Sequence, residues 1–518
     1  MSIDSDKLKS EVISNAKPEN LASGKVGLEK ESLRIYQSKI SNNLHQQSLG
    51  SSLCHRFITT DFSEAQLEFI TPPGSNKTVE LDFLDNIHHF VTQNIGDEFL
   101  WPFSMPPYIQ LDTEVPIASY GSSNLALFKT AYRNGLSHRY GRTMQAISGI
   151  HFNYSLPEDI WCSSLFNKEQ LNLQEFRTDL YFGTLRNLYR MNWLILYLLG
   201  ASPIVSKNFL NSNHGEFQKL DSHTYYMRYA TSLRMSDLGY QNIRQSSLVM
   251  PLNSMEEYIF NLKLATETKC EDYQKINKEI KEDCPQINAN ILQIEDEYYS
   301  IARPKSNSGL SQRLTTKLKD TGVDYIELRS LDINPFQRIG IDLETVYFLE
   351  MFFLYCTLKS SPQINSDGIQ ESRSNDLLVA TRGREPGLNL SNNRTEISLK
   401  NWANQILDEM IYIAELLDDE TNIYTDTISK IKLHIMDPDQ TLSGMLLNKV
   451  LTEQISFHDL GIKIGEENKS YYINMEKPEN SDWSLLEQES SDSLRRQAEL
   501  EKISNQSFDD FVKRYFSE

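Results

Sequence analysis

The chain has 518 residues, 39% of them hydrophobic, and a net charge of −20, with an isoelectric point near 5.1. That length supports a large core in one or two domains. The acidic balance offers no basic footprint for nucleic acid and no attraction to anionic membranes, although a local basic pocket for a nucleotide stays open.

The start, MSIDSDKLKSEVIS, lacks the apolar run of a signal peptide, and residues 5–16 read as a short polar helix. Five scattered cysteines, Cys54, Cys162, Cys270, Cys284 and Cys356, form no CxxC or zinc pattern. A cytoplasmic protein with reduced thiols is expected. Lys25–Ile35, KVGLEKESLRI, alternates like a strand, in which every second side chain shares a face. Glu29 and Glu31 fall on one face with Leu33, and two such carboxylates repel unless solvated or bridged by a cation. Ile58–Thr71, ITTDFSEAQLEFIT, reads as a helix capped at Asp61 or as a strand. The strand is preferred for Gln66–Thr71, with Glu64, Gln66, Glu68 and Ile70 on one face.

Thr78–Leu100 has helical period. Its adjacent His88 and His89 diverge by about 100° and cannot chelate one ion, so they are read as structural or surface groups. Trp101–Pro107 is a rigid loop, and Tyr120–Gly141 is again helical. Thr143–Leu156 reads as a strand with Ile147, Gly149, His151, Asn153 and Ser155 on one face, where the glycine lets another group approach. Phe176–Gly200 is a long buried helix. Its most apolar run, Trp193–Ala201, has nine residues, about half of a bilayer span. Tyr225–Gly239 leads to Tyr240 and sets Arg234 beside a turn where an anion could dock.

Met255–Thr268 is a helix, and Asn288–Ser300 is a strand or helix rich in acid and tyrosine. Arg303–Gly322 is basic and rich in Ser, Thr and Gly, and reads as a mobile surface loop, plain or lid-forming. Asp324–Phe336, DYIELRSLDINPF, follows as a strand with Tyr325, Glu327, Arg329 and Leu331 on one face. A carboxylate can hold a hard cation, and an arginine beside it can clamp a phosphate. Next come an apolar helix over Asp342–Leu358 and a polar loop over Ser360–Asn375. Helices are expected over Leu399–Leu417, Thr425–Met436, Trp483–Ile503 and Phe508–Phe516. The chain divides into 1–360, a catalytic sheet with its helices, and 361–518, a mainly helical part packed on it.

Pooled in one antiparallel sheet, these strands would bring Glu29, Glu31, Asp61, Glu68, His151 and Glu327 together, with Arg329 beside them. Such crowding of carboxylates requires divalent cations. Oxygen donors with one imidazole suit Mg²⁺ or Mn²⁺, and metal ions bridging phosphates make ATP a natural guest. No P-loop or dinucleotide-binding glycine motif is present.

These residues lie in blocks that resemble bacterial glutamate–cysteine ligase. The blocks are GLEKESLR (27–34), TTDFSEAQLEFIT (59–71), WPFSMP (101–106), FKTAYRNGLSHRYG (128–141), MQAISGIHFNYSLP (144–157), YATSLRMSDLGY (229–240) and DYIELRSLDINPF (324–336). The resemblance implies an α+β fold: a funnel-like, mostly antiparallel curved sheet surrounded by helices, similar to the glutamine synthetase catalytic domain. It implies ATP-dependent joining of L-glutamate to L-cysteine through a γ-glutamyl phosphate, the first step of glutathione biosynthesis. It makes Glu29, Glu31, Asp61, Glu68, His151 and Glu327 the ligands of Mg²⁺ (or Mn²⁺). Arg329 becomes the catalytic phosphate-binding group, and Tyr132, Gln145, Asn153, Arg234, Tyr240 and Tyr299 contact substrate. A monomer is expected, with glutathione as a feedback inhibitor. The tail resembles the family only weakly, as in GREPGLNL (383–390). It shows no ATP-grasp-like extension, against the bifunctional form. Two rivals stand: a ligase of the same fold with another amine acceptor, and a non-catalytic, metal-stabilised binding protein.

Overall fold

The structure is a computed structural model that describes residue 12 and residues 17–160, 172–210, 216–238, 248–279, 285–307, 313–503 and 506–517. Apart from residue 12, the expected helix at 5–16 lies outside the described residues, as do Cys162, Cys284 and Tyr240.

Among the described residues eight strands form the main sheet: β1 (Lys25–Tyr36), β2 (Lys39–Ile40), β3 (Ile58–Thr60), β4 (Gln66–Ile70), β5 (Phe99–Leu100), β6 (Ile150–Ser155), β7 (Ala302–Lys305) and β8 (Tyr325–Leu331). Their order is β7-β8-β6-β1-β4-β3, with β2 and β5 also on β1, and every pairing is antiparallel. The mixed helical and antiparallel class expected from the sequence is what forms.

Register sets the chemistry. Ala302, Leu328, Phe152 and Leu28 align across four strands as one apolar rung. The neighbouring rung is Arg303, Glu327, Asn153 and Gly27, and the residues beyond pair Glu29 with His151 and Glu31 with Glu68. Because side chains alternate across a strand, the apolar rung faces one way and the ionisable residues the other. The apolar face is covered by two helices, Leu173–Leu199 and Leu343–Leu358, the second buried along nearly its whole length. Phe353 of that helix packs 5.7 Å from Phe152 and 5.1 Å from Tyr154 between ring centres.

Several expectations are corrected. The basic stretch Arg303–Gly322 is no mobile loop where described: it opens as edge strand β7 and continues as a helix over Leu314–Thr321. Pro304 is tolerated because, among the described residues, β7 has a neighbour on one side only, and Arg303 is buried, donating to the main-chain oxygen of Asp296 at 2.8 Å. Asn288–Ser300 is irregular but for a helical turn at Glu295–Glu297. The strand expected from Thr143 starts only at Ile150, since Arg142–Gln145 forms a turn of helix. The Thr78–Leu100 helix ends at Asn94, leaving Phe99–Leu100 to pair with β1. The polar loop at Ser360–Asn375 gives way to a helix over Ser366–Arg382, capped by Asn365, whose side chain accepts from the Gly368 N–H at 2.9 Å. Within the mainly helical tail, Leu442–Glu453 and Phe457–Ile473 form two further helices beyond those placed individually from the sequence.

Candidate active site

The ionisable face of the sheet opens into a cavity of about 390 Å³. β1 supplies Glu29 and Glu31, β4 Glu68, the β3–β4 turn Asp61, β6 His151, and β8 Glu327 and Arg329. The helix Asn124–Tyr140 contributes Lys129, Tyr132 and Arg133. Gln145, Arg234 and Tyr299 also line the cavity. Asn153 does not, but its Nδ2 donates to Glu29 Oε1 at 3.0 Å. Among the described residues seven carboxylates and six cationic side chains share the wall, and that near-balance suits a guest that brings anionic groups and divalent cations together.

At the centre, Glu29 Oε2 lies 3.0 Å from His151 Nδ1, and His151 is 3.9 Å from Glu327. One donor atom from each of Glu29, His151 and Glu327 lies within 4.8 Å of the others. Two hard oxygen donors and one imidazole at that spacing fit Mg²⁺ or Mn²⁺ with little closing of the cluster. Glu31 accepts from the Gly149 N–H at 2.9 Å. A Cβ on Gly149 would fall 2.1 Å from Arg234 Nη2, so the close approach that this glycine permits is that of an arginine.

The acids divide into two kinds. Burial pushes the Glu31 carboxyl up to about 8, reinforced by Asp61 and opposed by Arg234 and Arg329. Burial and then the charges of Glu29, Asp61 and Glu31 hold Glu68 well above the usual carboxylate range. In Glu29 burial acts the same way, joined by the Glu327 charge, but the His151 hydrogen bond together with the charges of His151 and Lys305 outweighs them and the carboxyl ends below its usual value. Glu327 falls well below it, because Lys305 and Arg329 outweigh burial. Burial, then the Arg329 charge, lower His151, which favours the neutral imidazole that ligates metals. Two carboxylates are thus ready as anions, and two remain costly to ionise until a cation arrives.

A family model described as glutamate-cysteine ligase matches residues 10–379. The glutamate–cysteine ligase of Alcanivorax borkumensis is 40% identical over 505 residues, 96% of each chain. The chain belongs to the glutamate–cysteine ligase family. A glutamate–cysteine ligase from Shewanella oneidensis is 38% identical over 95% of this chain and 94% of its own. The crystal structure of a family member from Francisella tularensis in complex with AMP matches with a TM-score of 0.90 at 33% identity, over 96% of this chain and 98% of that one. A bifunctional glutathione synthetase from Pasteurella multocida shares the fold, with a TM-score of 0.74 at 23% identity, over 94% of this chain and 58% of its own. The expected family and the ligase class are both borne out.

The wall also carries Lys129, Arg133, Asp296, Glu297, Arg303 and Lys305, which lie outside the set expected from the sequence. Arg303 and Lys305 carried a usable signal, the same i,i+2 spacing as Glu327 and Arg329, hidden inside a stretch whose composition resembles a loop. A second cavity of about 640 Å³, lined in part by Gly27, Asn153, Arg177, Tyr181 and Tyr325, shares Glu29 with the first. Among the described residues no helix is long and apolar enough to cross a membrane.

Proposed function

We propose that this chain joins the γ-carboxylate of L-glutamate to the amine of L-cysteine, with ATP converted to ADP and phosphate, as the first step of glutathione biosynthesis. The observation that carries the reading is the cluster of Glu29, His151 and Glu327, set in one cavity with Arg329 3.3 Å from Glu327. A γ-carboxylate oxygen attacks the γ-phosphorus and the bond to the ADP oxygen breaks. The cysteine nitrogen then attacks the acyl carbon of the γ-glutamyl phosphate, phosphate leaves, and the nitrogen loses a proton.

Arg329 holds the transferring group and meets the charge that builds on its equatorial oxygens. Glu29, Glu31, Asp61, Glu68, His151 and Glu327 hold Mg²⁺ or Mn²⁺, which when bound neutralises phosphate charge. Tyr132, Gln145, Asn153, Arg234, Tyr240 and Tyr299 orient glutamate and cysteine. The second cavity takes the nucleoside end of ATP, since it meets the first at Glu29. The same reading makes the sheet a glutamine-synthetase-like funnel carried by residues 1–360, with 361–518 as a helical part packed on it. It describes a cytoplasmic monomer that glutathione inhibits.

The test is ADP release with Mg²⁺, ATP and glutamate, with and without cysteine, and mass spectrometry of the product. Cysteine-dependent release yielding γ-glutamylcysteine is expected. Turnover only with another amine would move the substrate, and no turnover with any amine in folded, metal-loaded protein would sink the reading.

A further inference from the structure

Glu327 is shared by two cations. Lys305 Nζ lies 3.2 Å from Oε1, and Arg329 Nη1 lies 3.3 Å from Oε2. They therefore approach opposite oxygens of one carboxylate, from neighbouring strands β7 and β8. The backbone that carries Lys305 is fixed: its carbonyl accepts from the Asp324 N–H at 2.9 Å, and it stands in register with Tyr325.

Other cations of the wall are already committed. Arg303 donates to the Asp296 carbonyl at 2.8 Å, Arg234 to the Arg329 carbonyl at 2.9 Å, and Arg133 to the Lys129 carbonyl at 3.0 Å. Lys129 rests 5.2 Å over the Tyr120 ring. Lys305 faces the first cavity, and its register partner Tyr325 lines the second. An ammonium at that junction sits where a chain running from one cavity to the other would pass.

The geometry points to Lys305 as a second phosphate-binding catalytic residue, which contacts the polyphosphate of the nucleotide from the side of Glu327 opposite Arg329. This inference rests on the ATP-dependent reading above. A carboxylate that takes up a divalent cation no longer neutralises its two neighbours, and the pair then matches the oxygens of a phosphoryl group. Lysine suits this place as a compact point charge whose contact moves between oxygens as the bond to ADP breaks.

The experiment compares wild type with Lys305→Met, Lys305→Gln and Lys305→Arg. Binding of AMP, ADP and a non-hydrolysable ATP analogue is measured with Mg²⁺, alongside kcat for ADP release. For Lys305→Met and Lys305→Gln we expect AMP affinity within about twofold of wild type, ATP-analogue affinity reduced about tenfold, and kcat reduced about 100-fold. Lys305→Arg should recover part of that loss. Equal weakening of AMP and the ATP analogue would make Lys305 merely structural, and kcat within about threefold of wild type would overturn the proposal. Wild-type protein without cysteine-dependent turnover would instead sink the ligase reading, while the nucleotide series would still judge Lys305.

Discussion

Arg234 donates a hydrogen bond from Nη2 to the main-chain carbonyl of Arg329 at 2.9 Å. One arginine of the wall thus holds the backbone of the other. Arg234 is in turn steadied by Asp332, 3.7 Å from its Nη1. Asp332 accepts from the Ala201 N–H at 2.8 Å, Ser202 Oγ at 2.6 Å and Ser232 Oγ at 3.0 Å. Asp332→Asn would set an amide N–H₂ among groups that all donate. We expect a loss of about 2–4 kcal/mol in urea melts and a kcat/KM reduced at least tenfold. Unchanged stability would show that the Asp332 network is not what holds Arg234.

Glu68 faces Glu31 across the β1–β4 pairing, and burial with three neighbouring acids disfavours its ionised form. A side chain that cannot ionise spares the metal-free protein the cost of keeping Glu68 protonated while the unfolded chain releases that proton, and it weakens the hold on cations. For Glu68→Gln we expect a gain of about 1–2 kcal/mol in EDTA, a smaller rise in Tm on adding Mg²⁺, and lower kcat. A variant that is less stable in EDTA, or that keeps the full Mg²⁺ response, would remove Glu68 from the cation site.

Alternation exposed the faces of β6 and β8, because each carries polar or ionisable groups on one side and Ile, Leu, Phe or Tyr on the other, and in β1 it set Glu29 and Glu31 together although Lys30 and Arg34 lie on the opposite face. What stayed hidden depends on partners far along the chain. Ser360–Asn375 reads as a loop by composition, yet the Ser366–Arg382 helix that replaces most of it is held by an Asn192–Asp376 bond across 184 positions. Lys305 is hidden within a basic stretch rich in Ser, Thr and Gly, since nothing local says that Ala302–Lys305 pairs with β8. Gln145 reaches the cavity from a turn of helix rather than from the expected strand. The chain turns at Ala146, just after that helical turn, and no period reports it.

On the apolar side of the sheet, Lys77 Nζ and Glu350 Oε1 form a buried pair at 2.8 Å. Glu350 also accepts from Tyr424 at 2.7 Å and Tyr154 at 3.4 Å. Lys77→Met leaves a carboxylate that is fully out of water without its cation, and should cost about 3–5 kcal/mol. Adding Glu350→Gln removes the stranded charge and should restore most of the loss. Both are read from denaturant melts, and additive losses in the double variant would refute the pairing.

Asp376 gives a pH dependence separate from the site. Its carboxyl is buried, accepts from Asn192 Nδ2 at 3.0 Å, and leaves Oδ1 without a partner. Burial pushes it up to about 8, against the pull of Asn192 and Arg373. An unfolded aspartate titrates near about 4. Between those values the folded chain keeps a proton that the unfolded chain releases, so stability falls as pH rises from about 4 to 8 and levels off above. The slope from this one group is at most about 1.4 kcal/mol per pH unit. Asp376→Asn keeps the amide-like contact and removes the titration. The difference between variant and wild type in urea melts should be smallest near pH 4–5 and grow in favour of the variant toward pH 8. A difference independent of pH would show that Asp376 is ionised in the folded protein throughout that range, with Arg373 rather than burial governing it.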